Sequence, residues 1–258
     1  MKVNIQILES YSALFRELVN ERNLATSGPI KVALRLSRDE DWSFICSSMN
    51  IVDDAALALE NFIKFGLDGP TKYNEDGEKY LRLYGLLSAT YIQQQAILTL
   101  HILNTDSDSK KALQKIKDLK IRQVRHKIAS HACDYLRQGQ NKLESYVPVR
   151  LYLSEFCIGL FNSENFEIEK ISLKDYLDEH INLMINFLDE IIEKSIKRIF
   201  RGQTKKINEF NERLKYLRIE RDVGIVIHAP VNSKDDMITI IIRGSSPDKG
   251  ENKQKTEN

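Results

Sequence analysis

Apolar residues recur at helical spacing along most of this chain. Ile7, Leu8, Tyr11, Leu14, Phe15 and Leu18 predict a helix over residues 5–21, which ends in a loop at residues 23–29. Residues 30–36 alternate loosely and read as a short strand or an extended arm. Ser37 and Glu40 have the spacing of a capping box, which predicts a helix from Asp39 to about Phe65, with a break near Asn50 and closure at Gly66, Gly69 and Pro70. Residues 78–103 are apolar on nearly every face, with Leu81, Tyr84, Leu87, Tyr91, Leu98 and Ile102 in the expected buried set. A helix of that kind belongs at the centre of a bundle. Gln93, Gln94 and Gln95 interrupt it: either they hydrogen-bond within the bundle or reach solvent, or one of them reaches a polar cleft or a partner.

The pattern continues through a helix at residues 110–119, which runs into, or is kinked before, a helix at residues 120–136, KIRQVRHKIASHACDYL. Gly139 comes after it at a suitable C′ position. Residues 149–161 and 166–171 flank the turn Asn162-Ser-Glu-Asn165 and predict a small β-hairpin inserted in the bundle. Ser172 and Asp175 form a box-like start for the last core helix, residues 173–200, whose stripe runs through Leu177, Ile181, Met184, Leu188, Ile191 and Ile192 to Gly202. A charged amphipathic helix over residues 205–221 precedes two β-rich runs, 223–229 and 237–243, which should pair as a hairpin and dock on the bundle or on another chain. Residues 245–258 have no apolar anchor and read as a disordered tail. The fold class is therefore mainly α: an N-terminal helix and arm (1–36), a helical bundle (37–201), a C-terminal helix and β-hairpin (202–244) and a tail.

Composition changes this picture little. Among 258 residues, 38 are basic and 37 acidic, so the net charge of +1 offers no global attraction for nucleic acid, and an RNA partner would need a local patch. Cys46, Cys133 and Cys157 are odd in number and lack CxxC spacing, and they read as small buried hydrophobes in a reducing cytosol. Glu9 and the lack of a small-residue cleavage pattern argue against a secretory signal. Residues 83–105 carry no charge and are long enough to span a bilayer, but Gln93–Gln95 and His101 would be costly there, so a cytoplasmic protein with no membrane partner is expected. Phosphate-binding glycine loops, HExxH, GxSxG and paired CxxC motifs are absent, which points away from several large enzyme classes.

Chemistry concentrates on residues 120–136. At about 100° per residue, Ile121, Val124, Ile128, Ala132 and Tyr135 share one narrow stripe, with Arg125 and His131 on its two shoulders, about 120° apart. If that seam met a symmetry mate, a two-fold axis would bring Arg125 of one chain beside His131 of the other. RNA cleavage without a metal needs a group to take the 2′-hydroxyl proton, one to protonate the leaving 5′-oxygen, and positive charge on the phosphorane. Histidine suits either proton transfer and arginine suits the phosphate. Arg122 and Lys127 would enlarge the phosphate-binding surface, together with Lys110, Lys111, Lys115, Lys117 and Lys120. Between Lys110 and Arg137 the acidic residues are Asp118 and Asp134, an asymmetry that favours an anionic partner. The plainer alternative makes His131 a hydrogen-bonded histidine at a helix boundary and Arg125 a solvated charge. His101, His180 and His228 lie on separate elements without ligand spacing and read as structural. Asp53-Asp54 and Asp235-Asp236 read as a helix face and a loop.

The run Arg125-His126-Lys127-Ile128-Ala129-Ser130-His131 resembles the Arg-polar-(four residues)-His motif of HEPN proteins, particularly the form found in bacterial abortive-infection and toxin relatives. It departs from that pattern in having His126 for the usual Asn or Asp and Ser130 where alanine usually precedes the histidine. The resemblance implies a HEPN-like antiparallel helical bundle and a metal-independent endoribonuclease that needs no cofactor and acts as a homodimer through the motif helix. Arg125 would then hold the phosphate, His131 act as acid or base, and His126 orient the other two or contact substrate. Phage defence or a toxin–antitoxin pair, with an antitoxin or other protein partner, is implied in the same way. The alternative is a non-catalytic HEPN-like module that binds a protein partner, RNA or nucleotide; a purely structural scaffold is the third reading.

Overall fold

A computed structural model describes residues 2–24, 28–70, 75–105, 108–130, 145–223, 226–230 and 237–241. The residues of the first compact unit are Met1–Leu214, and Lys215–Asn258 form a second. The first is mainly helical with a small three-stranded antiparallel sheet.

Four long helices build the core: α1 (Lys2–Leu24), α3 (Asp41–Phe65), α4 (Asp76–Asn104) and α7 (Leu173–Ile199). They pack in ring order, α1 on α3, α3 on α4, α4 on α7 and α7 back on α1. Thus α1, expected as an addition to the bundle, is one of its walls. Its predicted stripe, Ile7, Leu8, Tyr11, Leu14, Phe15 and Leu18, is buried throughout, as is the α7 stripe from Leu177 to Ile192. Tyr11 spans the two, its hydroxyl donating to Asp189 at 3.0 Å. Ser172 caps α7 by accepting from the amide of Asp175.

Several expectations are corrected. Residues 30–36 are neither strand nor arm. Ile30–Leu34 forms a short helix, α2, that begins at Pro29 and stops at Arg35 in the left-handed region, φ 55°. Burial of Ala33 and Leu34 on one side fixes it, a tertiary effect that outweighs the loose alternation. The capping box is not formed: Glu40 is already helical, and the Asp41 carboxylate accepts instead from the backbone amide (2.9 Å) and Nε (3.1 Å) of Arg38. No break occurs at Asn50. On α4, Leu81 (69% exposed), Tyr84 and Ile102 face outward, while Leu83, Leu86, Leu87, Gln93, Gln94, Ile97 and Leu100 are buried. With apolar residues all round the helix, hydropathy alone could not choose a face.

The inserted hairpin is in fact a meander of three strands, β1 (Tyr146–Ser154), β2 (Cys157–Asn162) and β3 (Glu167–Ser172), in order β1-β2-β3. The sequence reading ran β1 and β2 together across residues 149–161. The chain turns at Glu155-Phe156, where Glu155 takes φ 44° and Ser154 pairs with Cys157. Leu153, Ile158, Leu160 and Ile171 bury the inner face, and β3 leads directly into α7. The turn docks on the end of α3: the Leu67 amide donates to Glu155 O (2.7 Å), and Gly66, at φ 61°, passes so close that a Cβ there would lie 2.6 Å from the same oxygen. Cys157 is exposed and Cys46 half-buried, so neither is the buried hydrophobe expected. Cys133 lies outside the described residues.

Ser109–Lys117 forms α5, capped by Asp108, and it is separated from α6 (Lys120–Arg125) by the extended residue Leu119. Of the two alternatives, a continuous helix or a kink before the motif helix, the chain takes the kink. Helix α8 (Thr204–Val223) buries Phe210 and Leu214, with Phe210 stacked on Phe200 at 5.2 Å. In the second unit, β4 (Val226–Pro230) and β5 (Met237–Ile241) pair antiparallel, as the sequence suggested. Residues 245–258, Gly139 and Asp235-Asp236 lie outside the described residues. No helix is long and apolar enough to cross a membrane among the described residues.

Candidate functional site

The motif helix is not a regular helix. α6 covers Lys120–Arg125, and His126–Ser130 continues as a π-helical turn. Such a turn inserts an extra residue per hydrogen-bonded loop. His131, Ala132 and Tyr135 lie outside the described residues. Ile121, Val124 and Ile128 are buried, at 4% exposure or less, within this chain's own core, where α6 packs on α4 and α7. The described part of the seam thus packs within this chain's own core. On the other side of the helix Arg125 and His126 are half-buried and Ala129 is exposed.

Tyr91 of α4 organises the basic residues. The Arg125 guanidinium carbon sits 3.7 Å from the centroid of the Tyr91 ring, and that of Arg122 sits 4.9 Å from the same centroid. The electron-rich face of a phenol ring attracts a flat cation at such distances and holds it in one orientation. Arg122 is not on a solvated face: it is only 7% exposed. Burial holds its guanidinium below the usual arginine range, and the neighbouring Arg125 charge adds to that effect, against the favourable contact with Tyr91.

A buried chain of hydrogen bonds leads inward from Arg122. Its Nη1 donates to Gln94 Oε1 at 3.0 Å, Gln94 Nε2 donates to His180 Nδ1 at 3.3 Å, His180 Nε2 donates to Gln93 Oε1 at 2.9 Å, and Gln93 Nε2 donates to Val52 O at 3.0 Å. Arginine can only donate, and this orients every link. Gln94 must present its oxygen to Arg122 and hence its amide protons to His180, so Nδ1 accepts and the imidazole proton sits on Nε2. Gln93 then turns its oxygen to His180 and its amide to the α3 backbone. His180 is completely buried on α7, and burial lowers its pKa to about 3, so it is neutral. The structural reading of His180 therefore stands, but sequence reasoning missed that it joins α7 to the motif helix. The available signal was a glutamine pair in the uncharged stretch of α4 from Leu83 onward, opposite one histidine within the apolar stripe of α7.

Lys127 points elsewhere, toward the sheet. Its Nζ is 3.2 Å from the Glu169 carboxylate and 4.9 Å from the centroid of the Tyr146 ring, beside a cavity of about 340 Å³ that also touches Leu160, Asn162 and Glu167. Lys110, Lys111, Lys115, Lys117 and Lys120 are all exposed along α5 and the start of α6 and form a solvated basic strip. His101 is buried, with Nε2 3.2 Å from Glu190 and its ring edge-on to Phe187. Asp53 is taken by Arg16 and Ser12. The geometry thus brings together Arg122, Arg125 and Tyr91, and separates Lys127 from them. No protein-family model matches this chain, and neither does any curated protein or solved structure.

Proposed function

We propose that this protein is a metal-independent endoribonuclease of HEPN type, with a HEPN-like bundle, acting as a homodimer in phage defence or a toxin–antitoxin pair. The observation that carries the reading is the fixed Arg125 guanidinium on the face of Tyr91, next to an exposed lysine strip. The planar arginine fork matches phosphate geometry, and the lysines attract a polyanion. In this reading the 2′-hydroxyl attacks the adjacent phosphorus while His131 takes or returns a proton, the 5′-oxygen leaves protonated, and Arg125 stabilises the charge on the phosphorane. His126, on the π-turn, orients the pair or touches substrate. Arg122 and Lys127 are assigned to binding.

A second reading, a non-catalytic HEPN-like module that binds a protein partner, RNA or nucleotide, draws on a different fact: both arginines pack against their own bundle through Tyr91. The two readings part in one assay. Purified protein is incubated with total RNA in EDTA beside His131→Ala and Arg125→Ala, each checked by circular dichroism. The nuclease reading expects EDTA-resistant cutting that falls by at least about a hundredfold in both variants. RNA bound without being cut, with Arg125→Ala weakening the binding, supports the module.

A further inference from the structure

The outward side of α4 carries no charge. From Leu83 to Thr105 the chain has no Asp, Glu, Lys or Arg, although these make up 29% of its residues. Burial accounts for the inward positions of α4 and not for the outward ones. Leu81, Gly85, Ser88, Ile92, Gln95, Thr99 and Ile102 follow one another by four and three residues in turn, and none is buried: Leu81 is 69% exposed, Ile102 49% and Ile92 44%. That alternation is the 3.5-residue period of a seam that packs against another helix. The neighbouring α3 repeats it. Phe44, Ile51 and Ala58 lie a heptad apart, with Ser47, Asp54 and Asn61 each three residues further on, and Phe44 is 54% exposed. Gln93 donates to Val52 O, and Ala58 and Gly85 line one cavity of about 260 Å³ between the two helices. The seams therefore run side by side along one outer face.

We propose that this face docks a second copy of the chain, α4 against α4 across a two-fold axis near Ser88 and Ile92, with α3 of each copy at the flank. The proposal rests on the homodimer part of the nuclease reading, not on its chemistry, and it gives that dimer a surface other than the motif helix. Charge selects the occupant. At a two-fold axis each residue meets its own copy, so any charge there faces a like charge; a self-docking face must be uncharged along the axis, a restriction that a partner of different sequence does not impose. The α4 seam meets that requirement, and an axis over α4 leaves Asp54, the one charge on the α3 seam, to the side. Size agrees as well. From Leu81 to Ile102 the seam is about 32 Å long, and two helices about 10 Å apart present a face about 20 Å wide. The roughly 600 Å² so outlined, before side-chain relief is added, approaches the roughly 800 Å² that each partner of a stable dimer contributes. The face is open in the single chain, where a Cβ added at Gly85 would meet nothing within 4 Å, and it closes only as copies associate.

Sedimentation velocity of the full chain between about 1 and 100 μM, within the range over which faces of this size associate, reads the mass. The wild type is expected to reach the dimer mass. Ser88→Glu and Ser88→Lys each place a charge at an exposed helical position, so each should match the wild type by circular dichroism. Each should weaken the dimer about tenfold or more by setting like charges across the axis. Mixed in equal amounts the two should re-form it, because opposite charges then meet, a rescue that a different partner would not give. Leu151→Glu, at a strand position 92% exposed, is the reference and should leave the dimer unchanged. A wild type that stays monomeric at the highest concentration overturns the proposal together with the homodimer of the nuclease reading, and leaves the face to a different protein. A dimer that persists in both Ser88 variants, that is not regained on mixing them, or that is lost equally in Leu151→Glu overturns this surface and keeps the homodimer. A dimer with the expected responses that leaves RNA intact in EDTA refutes the nuclease reading and retains this one.

Discussion

Acidification should strike this protein at His180. The imidazole is fully buried and its pKa is lowered to about 3 from 6.5, because burial disfavours the charged form. Above pH 6.5 it is neutral in both the folded and unfolded chains and contributes nothing to the pH dependence. As the pH falls through 6.5 the unfolded chain takes up a proton that the folded chain refuses, so stability is lost progressively down to about pH 3. At about 1.4 kcal/mol per unit, the loss from this one group is about 2 kcal/mol between pH 8 and pH 5, and approaches about 5 kcal/mol below pH 3. The geometry gives the same sign: a proton on Nδ1 would face the Gln94 amide that now donates to it, setting donor against donor in the core. Urea unfolding at pH 8, 6.5 and 5 measures the effect, with His180→Gln as the reference. That variant keeps a donor and an acceptor and does not titrate, so the carboxylates common to both proteins cancel in the difference. Wild type and variant losing stability in parallel would refute the reasoning, as would an imidazole resonance of folded His180 that titrates near 6.5.

Other substitutions test the frame around the site. Gly66→Ala should cost about 2 kcal/mol or more by chemical denaturation, since φ is 61° and the new Cβ would press on Glu155 O. Gly85→Ala should do the opposite and stabilise by about 0.5–1 kcal/mol, because nothing lies within 4 Å of the added methyl in mid-α4; a loss of stability there would show that the outer face of α4 is covered. Ser172→Ala removes the α7 cap and should lower stability by about 0.5–1 kcal/mol in the same assay. Phe210→Ala breaks the stack on Phe200 at a fully buried position, and a midpoint shift corresponding to about 3–5 kcal/mol is expected in thermal melts.

The sequence by itself determined the helices whose apolar residues fall on one side. Along α1 and α7 the 3.6-residue stripe leaves one face that can be buried, so periodicity names both the element and its core residues, and Ser172 marks where α7 begins. It also determined that Arg122, Arg125, His126 and Lys127 share one stretch of chain, because adjacency is a property of the sequence. The tertiary structure decided which way α4 turns, since a helix apolar all round offers no contrast to read, and the choice of Gln93 and Gln94 as core residues is set by His180 on a helix 86 residues beyond Gln94. It decided that Ile30–Leu34 is helical, that the turn at Glu155-Phe156 splits one apolar run into two strands, and that the motif helix widens into a π-turn. It also divided the basic group, sending Lys127 to the sheet and gathering Arg122 and Arg125 on Tyr91. Hydropathy cannot convey that division, because a charge reads as solvent-facing until a ring and an amide from another helix are brought against it.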